Sequence, residues 1–454
     1  MKRHAAAFWQ VARARASLPR DSVTLALLAT LVIGGLYDIY RYPLRINARI
    51  TSPTYADTPL ALSIGKYAAI ALVTLAAARR APAGWRRVAV ASPRQRALAA
   101  LTLWLLAIGV YHSLRAGGVA PFRSIAPVLC VLPLALLLDG TPGGDRGAGL
   151  GRLWRRLAAS LVLLHTCFNL AEIALWLTTG RLPALGYSGS LVRFGGVWDD
   201  PNSCAAFSSL FLVYCAARPR RFGRGELRVL VVCAALNLVV AWSFSAVIIL
   251  LAGLLGVGLQ GVRRKGLLLA GAALAAGLTL ATLPLFSDAS ARLPVIGGTV
   301  QQKLSGSIRS RQTALSHGAY FADLPSNPGA WLIGRDAAQP NEAAPVWWVS
   351  ASGLIGAALA ALWVALCARA VWRTPQRDWA LPAGGALLLG SLFVPYVVTF
   401  PLGAFFFLGL AALAAYAAPT TSAEESARSE PIPAAAAAGL PPGPAAFSPA
   451  EAPR

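Results

Sequence analysis

A chain of 454 residues that is 56% hydrophobic and 13% charged, with Leu and Ala in long runs, reads as one polytopic membrane domain rather than several soluble ones. A helix of roughly 20 apolar residues crosses ~30 Å of hydrocarbon, and runs of that length recur here. The formal net charge of +23 does not point to nucleic acid, because the arginines fall in short clusters between apolar runs, where topology signals sit.

Residues 1–21 form a basic amino-terminal segment. The first apolar run leads into Gly, Tyr and Asp rather than a small-residue cleavage site, so no cleavable signal peptide is expected. Apolar runs then predict about twelve spans, at 22–40, 60–78, 97–114, 120–138, 157–178, 201–217, 227–242, 245–261, 266–286, 345–368, 379–397 and 400–418. Of the 41 Lys and Arg residues, 28 fall on the amino-terminal side of such an alternating path, which predicts cytoplasmic termini. The expected fold is therefore all-α, a polytopic transmembrane bundle over 22–418. The cysteines (Cys130, Cys167, Cys204, Cys215, Cys233, Cys367) lie in or beside apolar runs without a CxxC, so they read as small packing residues rather than disulfide partners or metal ligands.

Three outer segments follow from this path: 41–59, 179–202 and 287–344. The last joins the ninth and tenth spans and is too long for a simple connector, which marks it as functional. Within it, Ser307–Phe321 predicts a helix, stopped by the turn formers Pro325, Asn327, Pro328 and Gly329. The tail 419–454 is rich in Pro, Ala, Ser and Glu and is expected to be disordered.

Polar chemistry concentrates in "RFGGVWDDPNSCAAF", Arg193 to Phe207, at the mouth of the sixth span. Asp200 is a favoured N-cap and Pro201 suits the first helical position, so Asp200-Pro201-Asn202 reads as a helix start. Such an end carries partial positive charge and open N–H groups that favour an anion. Gly195 and Gly196 allow a tight turn, and Arg193 adds a permanent charge with a fork suited to phosphate. The competing reading is a capped helix beside a solvated arginine. Inside the membrane, His165, Asn169 and Glu172 share one helix face at i, i+4 and i+7, and Lys66 lies at a depth matching Glu172. They predict either a structural polar network, with a Lys66–Glu172 pair, or the lining of a glycan cavity.

The stretch "RFGGVWDDPNSCAAFSSLFLVY" resembles the hallmark of the superfamily of O-antigen ligases and O-antigen or exopolysaccharide polymerases. Two further stretches agree in order and spacing. "SIRSRQTALSHGAYFADLPSNPGAWLIG" is similar to the family's Arg-led amphipathic helix and its proline-bearing turn. "NEAAPVWWVSASGLIGAALAALW" is similar to the segment that closes the long loop through a G-L-I-G element. The resemblance covers about 190–365.

That resemblance implies a metal-independent glycosyltransferase without cofactors, working at the periplasmic face of the bacterial inner membrane. Its donor would be an undecaprenyl-diphosphate-linked glycan, and its acceptor a second lipid-linked chain or lipid A core. Chain-length regulator proteins would be partners. Arg193 matches the family's functional arginine before D-P-N, and Arg311, with Arg309 as the other choice, matches the one in the loop. Arg309, Arg335, Asp200, Asn202, Asn341, Glu172 and Lys66 are candidate substrate contacts on this reading, against solvated loop charge for the loop arginines.

Two departures matter. The ligases carry a histidine near the loop's end, where this chain has Asn341 and Glu342, so the general base is open between Glu342 and His317. Between the seventh and eighth spans the family's Ser-Arg is replaced by Ser243-Phe244-Ser245. The missing histidine favours a polymerase over a ligase. A transporter or flippase is the reading from another class, disfavoured by the lack of internal repeats, and a noncatalytic scaffold is the fourth.

Overall fold

Apolar runs without internal breakers leave the backbone one economical way to satisfy its own polar groups, and the chain takes it. The structure is a computed structural model that describes residues 22–36, 60–80, 92–139, 146–179, 193–198, 200–241, 243–261, 294–295, 298–299, 328–335, 344–392, 394 and 396–416. The expected span 266–286, the expected loop helix 307–321 and the tail lie outside these residues.

The described helices are α1 (Ser22–Leu36), α2 (Leu60–Arg80), α3 (Pro93–Arg115), α4 (Ala120–Leu129), α5 (Leu132–Asp139), α6 (Arg146–Thr179) and α7 (Pro201–Ala217). They continue as α8 (Arg224–Ala241), α9 (Phe244–Gly261), α10 (Pro328–Ile333), α11 (Ala344–Trp372), α12 (Arg377–Gly390) and α13 (Leu402–Tyr416). The one strand pairing described is a two-residue antiparallel ladder, β1 (Pro294–Val295) with β2 (Gly298–Thr299). Among the described residues three helices are long and apolar enough to cross a membrane: Pro93–Arg115, Gly151–Thr179 and Ala344–Trp372. Their outward faces stay apolar, with Leu103, Leu114, Leu177, Leu362 and Trp372 exposed, a surface suited to lipid.

Where the helices depart from the expected spans, a breaker is at hand. The fourth expected span divides at Cys130–Val131 into α4 and α5, because Pro127 and Pro133 remove donors on both sides. The eleventh, expected to reach residue 397, stops at Gly390, and the chain runs on through turns to Leu402. Pro395 and Pro401 bracket that segment and cannot donate to a helix. The fifth is longer than expected, since its helix already begins at Arg146 and runs for 34 residues.

At the core lies α7, which packs against α6, α8, α9 and α12. It is buried on every side, from Pro201 to Cys215, as a helix at the centre of a bundle must be. Its Ser, Cys and Ala residues keep it thin, so neighbours come close; Gly253 of α9, for instance, lies where a side chain would overlap Val213. On the far side Trp363 of α11 stacks on Phe407 of α13, with centroids 5.3 Å apart.

Helix ends gather in two sets. At one end of the bundle, Arg94 at the start of α3 grips Asp139 at the end of α5, with Nη2 to Oδ1 at 2.9 Å and Nε to Oδ2 at 3.4 Å. There too Arg218, just after α7, pairs with Asp378 at the start of α12 at 2.7 Å, and Arg155 donates to the Arg221 carbonyl. The other set surrounds Arg193. Ends that chain alternation assigns to the same side therefore meet.

In α11 the break at Gly353 is deliberate. Its φ of 67° suits glycine, and a methyl there would overlap the Leu332 carbonyl of α10. Carbonyls freed by the break find donors: Trp104 Nε1 gives to Ser352 O at 2.8 Å, and the Arg335 amide gives to Ser350 O at 2.7 Å. We expect Gly353→Ala to lower the thermal midpoint of the purified protein by several degrees, since strained backbone costs about 1–3 kcal/mol before any overlap is counted. Gly384→Ala, in open space within α12, should hold or raise the midpoint, since alanine is the better helix former.

Candidate functional site

The polar motif folds into a buried crook rather than a surface loop. From Phe194 to Trp198 every residue is buried, and Gly196–Trp198 make a single 3-10 turn. Gly196 holds φ at 57°, and a side chain there would overlap the His165 ring on α6. Trp198 closes the crook from within, edge-on to His165 at 4.5 Å and against Phe207 and Phe405.

The chain then turns into α7 at Asp200, whose Oδ1 accepts from the Asn202 amide at 3.0 Å and whose Oδ2 accepts from Ser203 Oγ at 2.5 Å. The helix start is as the sequence implies. Its anion-attracting end, however, is already served by the Asp200 carboxylate, so that end does not by itself provide a phosphate site. Positive charge at this place comes from Arg193.

Arg193 is fixed by two different helices. Its Nε donates to the Ala241 carbonyl, the last residue of α8, at 3.0 Å, and its Nη2 donates to Asn202 Oδ1 at 2.6 Å. The solvated-arginine reading therefore fails: the side chain is half-buried and bridges the end of α8 to the start of α7. Asn202 Oδ1 accepts a second time, from Ser243 Oγ at 3.0 Å, and this fixes which way the amide points. Beyond Ser243 the network runs to Ser245 Oγ at 3.1 Å and to Tyr396 Oη, which lies 2.5 Å from Ser245 and 3.4 Å from Ser243. The Ser243-Phe244-Ser245 stretch thus contributes two buried hydroxyls to this network.

Tyr396 stands at the end of the expected span 379–397, where no role is expected for it from the sequence. The available signal was a tyrosine between two prolines, since a fully buried phenol needs a hydrogen-bond partner.

Below this network the face of α6 is as expected. Asn169 Nδ2 donates to Asn237 Oδ1 of α8 at 2.9 Å, Thr166 donates to the same oxygen at 3.2 Å, and Asn237 Nδ2 donates to the Val162 carbonyl at 3.2 Å. Asn169 therefore ties α6 to α8. Glu172 is buried on the same face, and with Asp200 it acts electrostatically on the Cys204 thiol, which puts it toward the start of α7. Lys66 is buried with Nζ 4.4 Å over the Phe400 ring, a cation–π contact at the turn between α12 and α13. Arg335 is half-buried, and its backbone is tethered to Ser350 of α11.

The turn between α12 and α13 thus collects three partners. Ser391 O accepts the Ala344 amide at 2.8 Å, Tyr396 meets Ser243 and Ser245, and Phe400 carries Lys66. Arg335 reaches the same end of the bundle, because Ser350 lies six residues, or roughly 9 Å, along the helix from Ala344. Arg309, Arg311, His317, Asn341 and Glu342 lie outside the described residues, although Ala344, two positions after Glu342, lands beside this turn.

Compared with models of protein families and with curated proteins, the chain matches none. The functional reading rests on its motifs and on this geometry.

The crook makes its own prediction. Gly196→Ala should destabilise the protein through both the αL backbone, worth about 1–2 kcal/mol for a non-glycine residue, and the overlap with His165. Combining it with His165→Ala should recover part of the lost thermal midpoint, because only the overlap is relieved. Additive losses in the double variant would mean that the two positions do not press on each other.

Proposed function

We propose that this protein is an integral-membrane glycosyltransferase, a polysaccharide polymerase that joins undecaprenyl-diphosphate-linked repeat units at the periplasmic face of the bacterial inner membrane. The observation that carries the reading is the placement of Arg193. A permanent cation is fastened at the meeting point of three helix termini, beside the start of the central helix. In the proposed reaction the acceptor hydroxyl attacks the anomeric carbon, the bond to the lipid diphosphate breaks, and negative charge builds on the leaving diphosphate. A cation fixed before the reaction stabilises that charge without reorganising. Lys66 and Arg335 add positive charge at the same end, within reach of a large amphiphilic substrate. In the absence of the ligases' histidine, Glu342 or His317 takes the role of general base in this reading.

The charge distribution supports the sidedness. Among the described residues, Arg94, Arg96, Arg155, Arg218, Arg220, Arg221, Arg224 and Arg377 crowd the end opposite Arg193. An excess of arginine marks the cytoplasmic side, so the proposed topology puts the Arg193 end outward. Polymerase is favoured over ligase because Asn341 and Glu342 stand where the ligases carry histidine.

Replacing Arg193 by Ala should reduce high-mass surface polysaccharide by about 100-fold or more, the scale seen when one electrostatic donor is removed from a transition state. Gel analysis of the polysaccharide, with membrane levels of the variant checked, reads this out, and normal long chains would refute the mechanism. In a deletion strain, single repeat units on the acceptor identify a polymerase. Unattached lipid-linked polymer would identify a ligase instead.

A further inference from the structure

We propose that Tyr396 is a positioning residue for Arg193, acting through Ser245, Ser243 and Asn202. This rests on the reading of Arg193 as the group that meets the lipid diphosphate.

The direction of the hydrogen bonds carries the argument. Asn202 Oδ1 is only an acceptor, so Ser243 spends its one proton on it. Ser243 Oγ can then do nothing but accept from Ser245 or Tyr396. With the shorter contacts made, Ser245 donates to Ser243 at 3.1 Å and Tyr396 donates to Ser245 at 2.5 Å. Protons therefore point one way along the chain, from Tyr396 to Asn202, and the only group that starts it is the phenol. The chain ends on the oxygen that holds Arg193 Nη2 at 2.6 Å.

Every hydroxyl in the chain is buried, with Tyr396 and Ser245 at 0% exposure and Ser243 at 3%, so water does not stand in for a lost member. Hydrogen bonds in series in such surroundings strengthen one another. Two of its members belong to α9 and its turn, one to α7, and Tyr396 to the turn that also receives Ala344 and Lys66. The orientation of the guanidinium is thereby tied to the turn between α12 and α13. Removing the phenol oxygen leaves the ring packing in place and takes away the donor that sets the direction of the whole chain.

The test uses the full chain in lipid nanodiscs, titrated with radiolabelled undecaprenyl diphosphate, with thermal midpoints measured alongside. Tyr396→Phe and Ser243→Ala should each weaken binding about fivefold, the scale of one buried hydrogen bond, in protein that the thermal scan shows to be folded at the temperature of the titration. Combined, they should weaken it no further than the worse of the two, because they act in series. Ser243→Thr, which keeps the hydroxyl, should bind within twofold of the unaltered protein. Tyr396→Phe added to Arg193→Ala should cost nothing beyond Arg193→Ala.

If Arg193→Ala loses binding while Tyr396→Phe and Ser243→Ala bind normally, the positioning role is wrong and the reading of Arg193 stands. If Arg193→Ala itself binds normally, the reading of Arg193 falls, and this role falls with it. Should Tyr396→Phe fail to fold, the Ser243→Ala and Ser243→Thr pair decides alone: weakened binding restored by Thr supports the role, and normal binding of Ser243→Ala overturns it.

Discussion

Asn202 Oδ1 holds two donors at once, Arg193 Nη2 and Ser243 Oγ, and the architecture around the site depends on that one oxygen. It joins the start of α7 to the end of α8 and to the link into α9. Helix ends leave carbonyls and amides without partners, and an apolar surrounding makes each of them expensive. Arg193 meets the need of α8 by donating to Ala241 O, and Asp200 meets the need of α7. A charged side chain that fills orphaned acceptors is itself held still, so structural satisfaction and the fixing of a cation are the same event.

The same economy runs through the other breaks at this end. Gly353 interrupts α11, and the carbonyls of Ser350 and Ser352 are taken up by Arg335 N and Trp104 Nε1. The stretch between α12 and α13 abandons helix altogether, yet Ser391 O receives Ala344 N and Tyr396 reaches two serines. Nonhelical backbone is tolerated within a bundle only where protein supplies its partners. The opposite end is held by ion pairs, Arg94 with Asp139 and Arg218 with Asp378, between regular helix termini. Among the described residues, the proposed chemistry lies at the end where Gly353 and the turn at Tyr396 interrupt helices, and these ion pairs lie at the other.

Much of the site was legible because it followed local rules. Asp200 caps the helix that Pro201 begins, Gly196 takes the positive φ that the paired glycines foretold, and His165, Asn169 and Glu172 are buried on one face of α6. Lys66 is buried, as its place in an apolar run implies, and its Nζ lies over the ring of Phe400, a contact more than three hundred positions away along the chain. Depth along a helix fixes only one coordinate, and rotation about its axis is set by neighbours. Tyr396 was missed for a related reason, since an apolar run looks continuous until the prolines around it are weighed against the cost of their missing donors.

What the sequence by itself determined is the helical membrane-type class and the places where Asp200 and Pro201 start a helix and where glycines and prolines break one. Periodicity, capping and breakers act within a few residues, so one chain read in order contains them. Tertiary structure alone decided that Arg193 spans two helices, that Asn202 serves it and Ser243 together, and that a turn near residue 396 closes the network. Apart from the Arg193–Asn202 bond, which spans nine positions, those contacts join residues 41 to 153 positions apart, and only the packing of α7 against its neighbours brings them within hydrogen-bond reach.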